Sequence, residues 1–257
     1  MNAAMTTDLP ASPDRPPLGR RLAAEFLGTG LLVAIVIGSG IAATRLSPSD
    51  TGLQLLENSI ATALGLAVLI VALAPVSGAH FNPVVTLVDW FLGRRTGSGF
   101  PLQDVAPYVA AQITGAIVGA ILANLMFDTP TAFATTDRAG GGPLLAEIVA
   151  TAGLVLVIFA LARTGRGHLV ATAVGAYIGA AYWFTSSTSF ANPAVTIGRI
   201  FSDSFAGIAP GSVLPFIGMQ LIGGAVGAAV VVALYPRTRR DRGDSADVAA
   251  VTGSSQR

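Results

Sequence analysis

The sequence has no cysteine and no lysine, holds just two histidines, His80 and His168, and is only 11% charged over its 257 residues. Without cysteine there is no disulfide, no thiolate metal site and no cysteine nucleophile. Two histidines far apart in the chain are a poor basis for a metal cluster or for acid–base chemistry, so no metal, cofactor or enzymatic activity is expected. What is present is apolar. Hydrophobic residues make up 52% of the chain and the mean hydropathy is +0.67. That is too apolar for a soluble domain, and the chain reads as an all-α membrane protein.

A spanning helix needs about 20 apolar residues. Six runs qualify, at roughly 22–43, 56–76, 105–127, 144–162, 169–187 and 212–235. No cleavable leader is expected, because the first run starts late and is long enough to span. Residues 1–19 and 237–257 are polar and read as disordered tails, which leaves 20–236 as a single membrane domain. All fifteen positive side chains are arginines. Twelve of them (Arg15, Arg20, Arg21, Arg94, Arg95, Arg163, Arg166, Arg237, Arg239, Arg240, Arg242 and Arg257) fall at the termini or in alternate loops, against Arg45, Arg138 and Arg199 on the other side. Positive charge marks the cytoplasmic face, so both termini are expected there, in the plasma membrane. The terminal arginines are read as a topology signal: the lipid bilayer is an expected partner and nucleic acid is not.

Three signatures occur twice, in the same order. Ala24-Glu25 returns as Ala146-Glu147, and Asn82-Pro83-Val84 as Asn192-Pro193-Ala194. Gln112-x-x-Gly115-x-x-x-Gly119 returns as Gln220-x-x-Gly223-x-x-x-Gly227, and the three offsets are 122, 110 and 108 residues. Residues 20–127 and 143–236 therefore form an internal repeat of three spans plus one interrupted loop. Three is odd, so the second copy enters the membrane from the opposite side and the repeat is inverted. The small-x-x-x-small glycines are assigned to close helix packing. Tyr108, Tyr182, Trp183, Trp90 and Tyr235 fall near span ends and are assigned to an interfacial belt.

Asn followed by Pro starts a helix: Asn caps free backbone N–H groups, and Pro at the first position has none to lose. A backbone break at membrane depth is tolerated only where it is buried in protein or lines a cavity. The apolar runs after the two asparagines, through Phe91 and Phe201, are long enough to cross about half of a core roughly 30 Å thick. Two such half-helices entering from opposite faces would meet at the midplane with Asn82 and Asn192 facing each other. Their positive ends would repel cations while the amides donate hydrogen bonds to a neutral solute. Backbone carbonyls of 77–81 and 187–191 would line the rest of the path.

These residues, with Ser77-Gly78-Ala79-His80-Phe81-Asn82-Pro83 as the most specific stretch, resemble the aquaporin (major intrinsic protein) family over nearly all of 20–236. The resemblance implies six transmembrane helices plus two re-entrant half-helices, beginning at Pro83-Val84 and Pro193-Ala194. It also implies a homotetramer with one pore per subunit and pore asparagines at Asn82 and Asn192. Glu25 and Glu147 would be buried and, with His80, brace the loops; the glutamates also admit a plainer reading as carboxylates near span ends that reach for water. Two positions depart from the family pattern. Val84 stands where alanine is usual, and Val195 stands where the outer constriction normally carries arginine. Arg199, one turn further on, is assigned to the outer vestibule, the alternative being that it swings back. Counted as the family pattern counts, the remaining constriction positions are Thr62, Ala180 and Ser189, none aromatic. Such a ring would be wide and weakly polar. The expected solutes are water, glycerol-like polyols and undissociated metalloid acids such as arsenite. The alternatives are a strictly water-selective channel and a secondary transporter. A transporter needs titratable groups near the midplane, and the spans offer only Glu25 and Glu147, with Asp89 on the first half-helix.

Overall fold

The computed structural model describes residues 15–94 and 99–236. The stretches 1–14 and 237–257, read as tails, and Arg95 with the C-terminal arginines lie outside the described residues. Every regular element among the described residues is helical. They are α1 (Leu18–Leu46), α2 (Thr51–Ser77), α3 (Pro83–Gly93), α4 (Leu102–Met126), α5 (Gly141–Arg163), α6 (Val170–Phe184), α7 (Pro193–Gly198) and α8 (Pro210–Leu234). Short 3₁₀ turns precede α6 (Gly167–Leu169) and follow α7 (Arg199–Phe201).

Five helices are long and apolar enough to cross a membrane: α1, α2, α4, α5 and α8. The sixth expected span, 169–187, is shorter. α6 has 15 residues and stops at Phe184, because Thr185 turns to an extended conformation to enter the loop before α7. At about 1.5 Å per residue it covers about 22 Å, or 27 Å with its 3₁₀ turn. α1 begins at Leu18, inside the stretch read as the N-terminal tail. α2 begins five residues earlier than expected, where the Asp50 side chain accepts from Leu53 N at 2.9 Å. Both re-entrant helices start as expected: Asn82 and Asn192 cap α3 and α7 through their side chains, with proline at the first position. The fold is six crossing helices around two half-helices.

Glycine sets the helix pairing. A Cβ on Gly119 would come within 2.0 Å of Gly30 O, so α1 and α4 approach backbone to backbone. In the second half a Cβ on Gly227 would meet Ala152 O at 2.7 Å, and α5 lies as close to α8. Arg21 pairs with Asp104 at 2.9 Å where α1 and α4 begin, and Arg45 donates to Phe127 O at 2.6 Å where both end. α1 and α4 are therefore parallel, which an intervening antiparallel α2 requires. The exposed stripe of α2, Leu56, Ile60, Leu64 and Val68, is apolar and suits hydrocarbon rather than water.

Candidate functional site

The two asparagines meet at the centre and bind across the repeat. Asn82 Nδ2 donates to Ala191 O and Asn192 Nδ2 donates to Phe81 O, both at 2.7 Å. Each Oδ1 accepts from its own helix start: Asn82 from Val84 N, and Asn192 from Ala194 N and Val195 N. An amide NH2 has two protons. One pins the opposite loop, so one per asparagine, rather than two, is left for the lumen that both residues line.

The loops reach this arrangement through strained backbone. Ala79, Phe81, Thr188, Ser189 and Ala191 all have φ between +48° and +59°. For side-chain-bearing residues this costs roughly 1–2 kcal/mol each. Two fully buried carboxylates offset the strain. Glu25 accepts from Ser77 Oγ, His80 N, Phe81 N and Gln112 Nε2 at 2.6–3.0 Å. Glu147 accepts from Phe190 N, Ala191 N and Gln220 Nε2 at 2.6–2.9 Å. Hydrogen bonds to a charged group contribute about 1.5–3 kcal/mol each, enough to outweigh the backbone penalty. Gln112 also donates to Thr86 Oγ1, and Gln220 to Thr196 Oγ1. Those hydroxyls donate in turn to the carbonyls of Asn82 and Asn192. Each asparagine is thus tied to the glutamate that holds its own loop.

The cavity through these residues has a volume of about 330 Å³. Thr62, Ser189 and Val195 line it, and the Ser189 hydroxyl is buried with no protein partner among the described residues. Ala180 does not line it. It lies exposed on the outside of α6, whose cavity face is Val174, Ile178 and Tyr182 at four-residue spacing. Tyr182, assigned from sequence to an interfacial belt, instead stands buried in the wall with its hydroxyl 3.1 Å from Thr62 Oγ1. Tyr108 is buried too, donating to Ser77 O at 2.9 Å. The wall therefore does contain an aromatic.

Arg199 is not an open-vestibule side chain. It is 2% exposed and lines the same cavity, its guanidinium carbon 3.4 Å from the Phe190 ring centroid and its Nε hydrogen-bonded to Ala206 O. The reason lies in helix geometry. Helical side chains lean toward the N-terminal end, and the N-terminal end of α7 is the centre of the pore. Arg138 secures the same loop from outside, donating to Gly207 O at 2.8 Å and Phe205 O at 3.0 Å. Neither this loop nor its grip on the two arginines was anticipated from the sequence.

The opposite mouth holds His80 and Asp89. His80 Nδ1 lies 3.1 Å from Thr86 Oγ1, the hydroxyl that also bonds Asn82 O. His80 Nε2 faces Asp89 Oδ2 at 3.4 Å, and the ring packs against Phe100 and Tyr108. His80 N also donates to Glu25, so the residue belongs to the braced loop and to the cavity wall at once. The exposed His168 sits in the turn before α6, far along the chain from these contacts.

Inverted half-helices whose capping asparagines meet inside a cavity define a membrane pore built on an internal repeat. The comparisons agree. The family model described as Major intrinsic protein matches residues 14–191 and 167–257, and the chain belongs to that family. It is 49% identical over 215 residues to the aquaglyceroporin AqpS of Rhizobium meliloti, covering 83% of this chain and 89% of that protein. It is 31% identical to the glycerol uptake facilitator protein of Haemophilus influenzae, covering 83% of this chain and 91% of that one. The solved structure of the aquaglyceroporin from Plasmodium falciparum superposes with a TM-score of 0.61 at 22% identity, over 87% of this chain and 97% of that one, which establishes the shared fold.

Proposed function

We propose that this multi-pass membrane protein is a passive channel for water and small uncharged hydroxylated solutes, glycerol among them, with undissociated metalloid acids such as arsenite within its range. One observation carries the reading: the Asn82 and Asn192 amides sit at the middle of a cavity whose walls are otherwise largely apolar. A neutral solute exchanges water's hydrogen bonds for these donors, while an ion would lose its shell without recompense. Glu25 and Glu147 brace the loops and, with their oxygens occupied by loop donors, are not free to bind a coupling ion, which favours a channel over a secondary transporter. The similarity to an aquaglyceroporin and to a glycerol facilitator supports the solute class. The outer constriction is assigned to Thr62, Tyr182, Ser189, Val195 and Arg199. The chain is placed in the plasma membrane with both termini cytoplasmic, as a homotetramer with small neutral solutes as its cargo.

Stopped-flow light scattering on proteoliposomes tests the reading. Glycerol flux comparable to water flux, insensitive to pH and sodium gradients, is expected. Fast water with no glycerol or arsenite entry overturns it in favour of a strictly water-selective channel, a reading that Tyr182 and Arg199 in the wall specifically favour.

A further inference from the structure

We propose that the groove between α3 and α8 holds one acyl chain of an anionic phospholipid, with Arg94 meeting its headgroup. The groove is separate from the pore and has a volume of about 560 Å³. α3 walls it with the bulky side chains of Val88, Trp90 and Phe91. α8 faces them with Gly224, Ala225 and Ala229, so an occupant can lie against the helix backbone. No charged side chain lines it, and apolar walls give water nothing to bond.

Its dimensions match one lipid leaflet. From Leu221 to Ala233 the α8 wall runs about 18 Å at 1.5 Å per residue, against about 15 Å for half of a hydrocarbon core. One end is marked by charge. Arg94 is exposed there, its guanidinium carbon 4.2 Å from the Phe91 ring centroid and 5.7 Å from that of Trp90, both rings belonging to the groove. Asp89, the acidic residue of α3, points into the pore toward His80, and among the described residues no carboxylate pairs with Arg94 at the groove mouth. A tryptophan and an arginine at headgroup level, above an apolar slot one leaflet deep, are complementary to a negatively charged lipid.

The chain has two tryptophans, so Trp183→Phe leaves Trp90 as the sole tryptophan and, excited selectively over the four tyrosines, an internal probe of the groove. The variant would be reconstituted into phosphatidylcholine vesicles doped with either dibrominated phosphatidylglycerol or dibrominated phosphatidylcholine. With one arginine near the surface, the anionic quencher should act about fivefold more effectively per mole. Adding Arg94→Gln should abolish that preference, and Ala229→Phe, at an exposed position that fills the slot, should weaken quenching by both lipids. Equal quenching by the two lipids, indifference to Ala229→Phe, or no quenching at all because a second copy covers the groove would each overturn the proposal. Flux is read separately, so failure here leaves the channel reading intact.

Discussion

The two halves of the molecule share one skeleton and differ in what they hang on it. Each has a buried glutamate holding a left-handed loop, a glutamine bridging that glutamate to a threonine, and an asparagine reaching across to the other half. Even the loose ends correspond: Thr29 Oγ1 and Gln112 Oε1 make no hydrogen bond with a described residue, and neither do Thr151 Oγ1 and Gln220 Oε1. The difference appears two residues before and seven after each asparagine. In the first half these positions are His80 and Asp89, 3.4 Å apart; in the second they are Phe190 and Arg199, stacked at 3.4 Å. The same backbone thus presents a carboxylate to one mouth and a guanidinium to the other. The shared frame braces the middle of the cavity, and the substituted pair gives its two ends different charge.

The shared frame is where the largest effects belong. Glu25→Ala leaves four donors without their acceptor, three of them fully buried, and Glu147→Ala leaves at least three. At about 1–3 kcal/mol for each orphaned group, either loss rivals the 5–15 kcal/mol that holds a folded protein together. Neither variant should give monodisperse protein in detergent, whereas glutamine at either position should retain part of the fold. If one alanine variant folds and conducts normally, the halves are not mechanically equivalent.

The substituted pair separates the halves at the next level. Arg199→Ala removes a desolvated cation–π contact worth about 2 kcal/mol and a bulky group from the outer wall. The flux of a polyol larger than glycerol should rise roughly tenfold, the equivalent of 1.4 kcal/mol of barrier. Asp89→Asn, at the corresponding inner position, keeps the side-chain volume and should change the same flux little. An equally large rise from Asp89→Asn would mean that the inner pair limits entry as much as the outer one, and no change from either that neither pair does. Val195→Arg should act in the opposite sense but more weakly, lowering the ratio of glycerol to water flux, because Arg199 already supplies a guanidinium one turn away. An unchanged ratio would place the constriction elsewhere in the cavity.

How much of this could be read from the sequence follows the same division. Every element of the frame sits at a fixed place relative to a doubled motif, so Glu25, Asn82, Gln112 and their counterparts could be picked out before any coordinates. The mouths could not. The count back from Asn192 landed on Ala180, which lies exposed, whereas the side chains of α6 that line the cavity are Val170, Val174, Ile178 and Tyr182. The reason is that the loop at Thr188 and Ser189 turns left-handed and resets which face of α6 meets the pore. Positive φ at residues other than glycine leaves no compositional trace. Arg199 was located correctly in the chain, but its inward lean depends on the Phe190 ring and the Ala206 carbonyl, and the latter comes from a loop whose path has no motif.

The smallest effect concerns the connection between α4 and α5, which Arg138 ties to the loop before α8. Asp137 accepts from Ser212 Oγ at 2.6 Å and from Ala139 N at 3.0 Å, and Arg138 N donates to the same serine at 2.9 Å. The Ala139 amide and the Ser212 hydroxyl hold its carboxyl below the usual carboxylate range. A depressed value means that the folded loop prefers the ionised form. The contribution is fully present above the ordinary carboxylate range and is lost as pH falls through the lowered value. Amide hydrogen exchange at Ala139 should therefore show reduced protection under strongly acidic conditions, once the known acid dependence of exchange chemistry is removed, with no change near neutrality. Asp137→Asn should flatten that acid response while leaving the donors at 138 and 139 in place. Because the side chain is solvent-exposed, glycerol flux at neutral pH should not move; if it does, this connection closes the outer mouth more directly than the bonds from Arg138 to Phe205 and Gly207 imply.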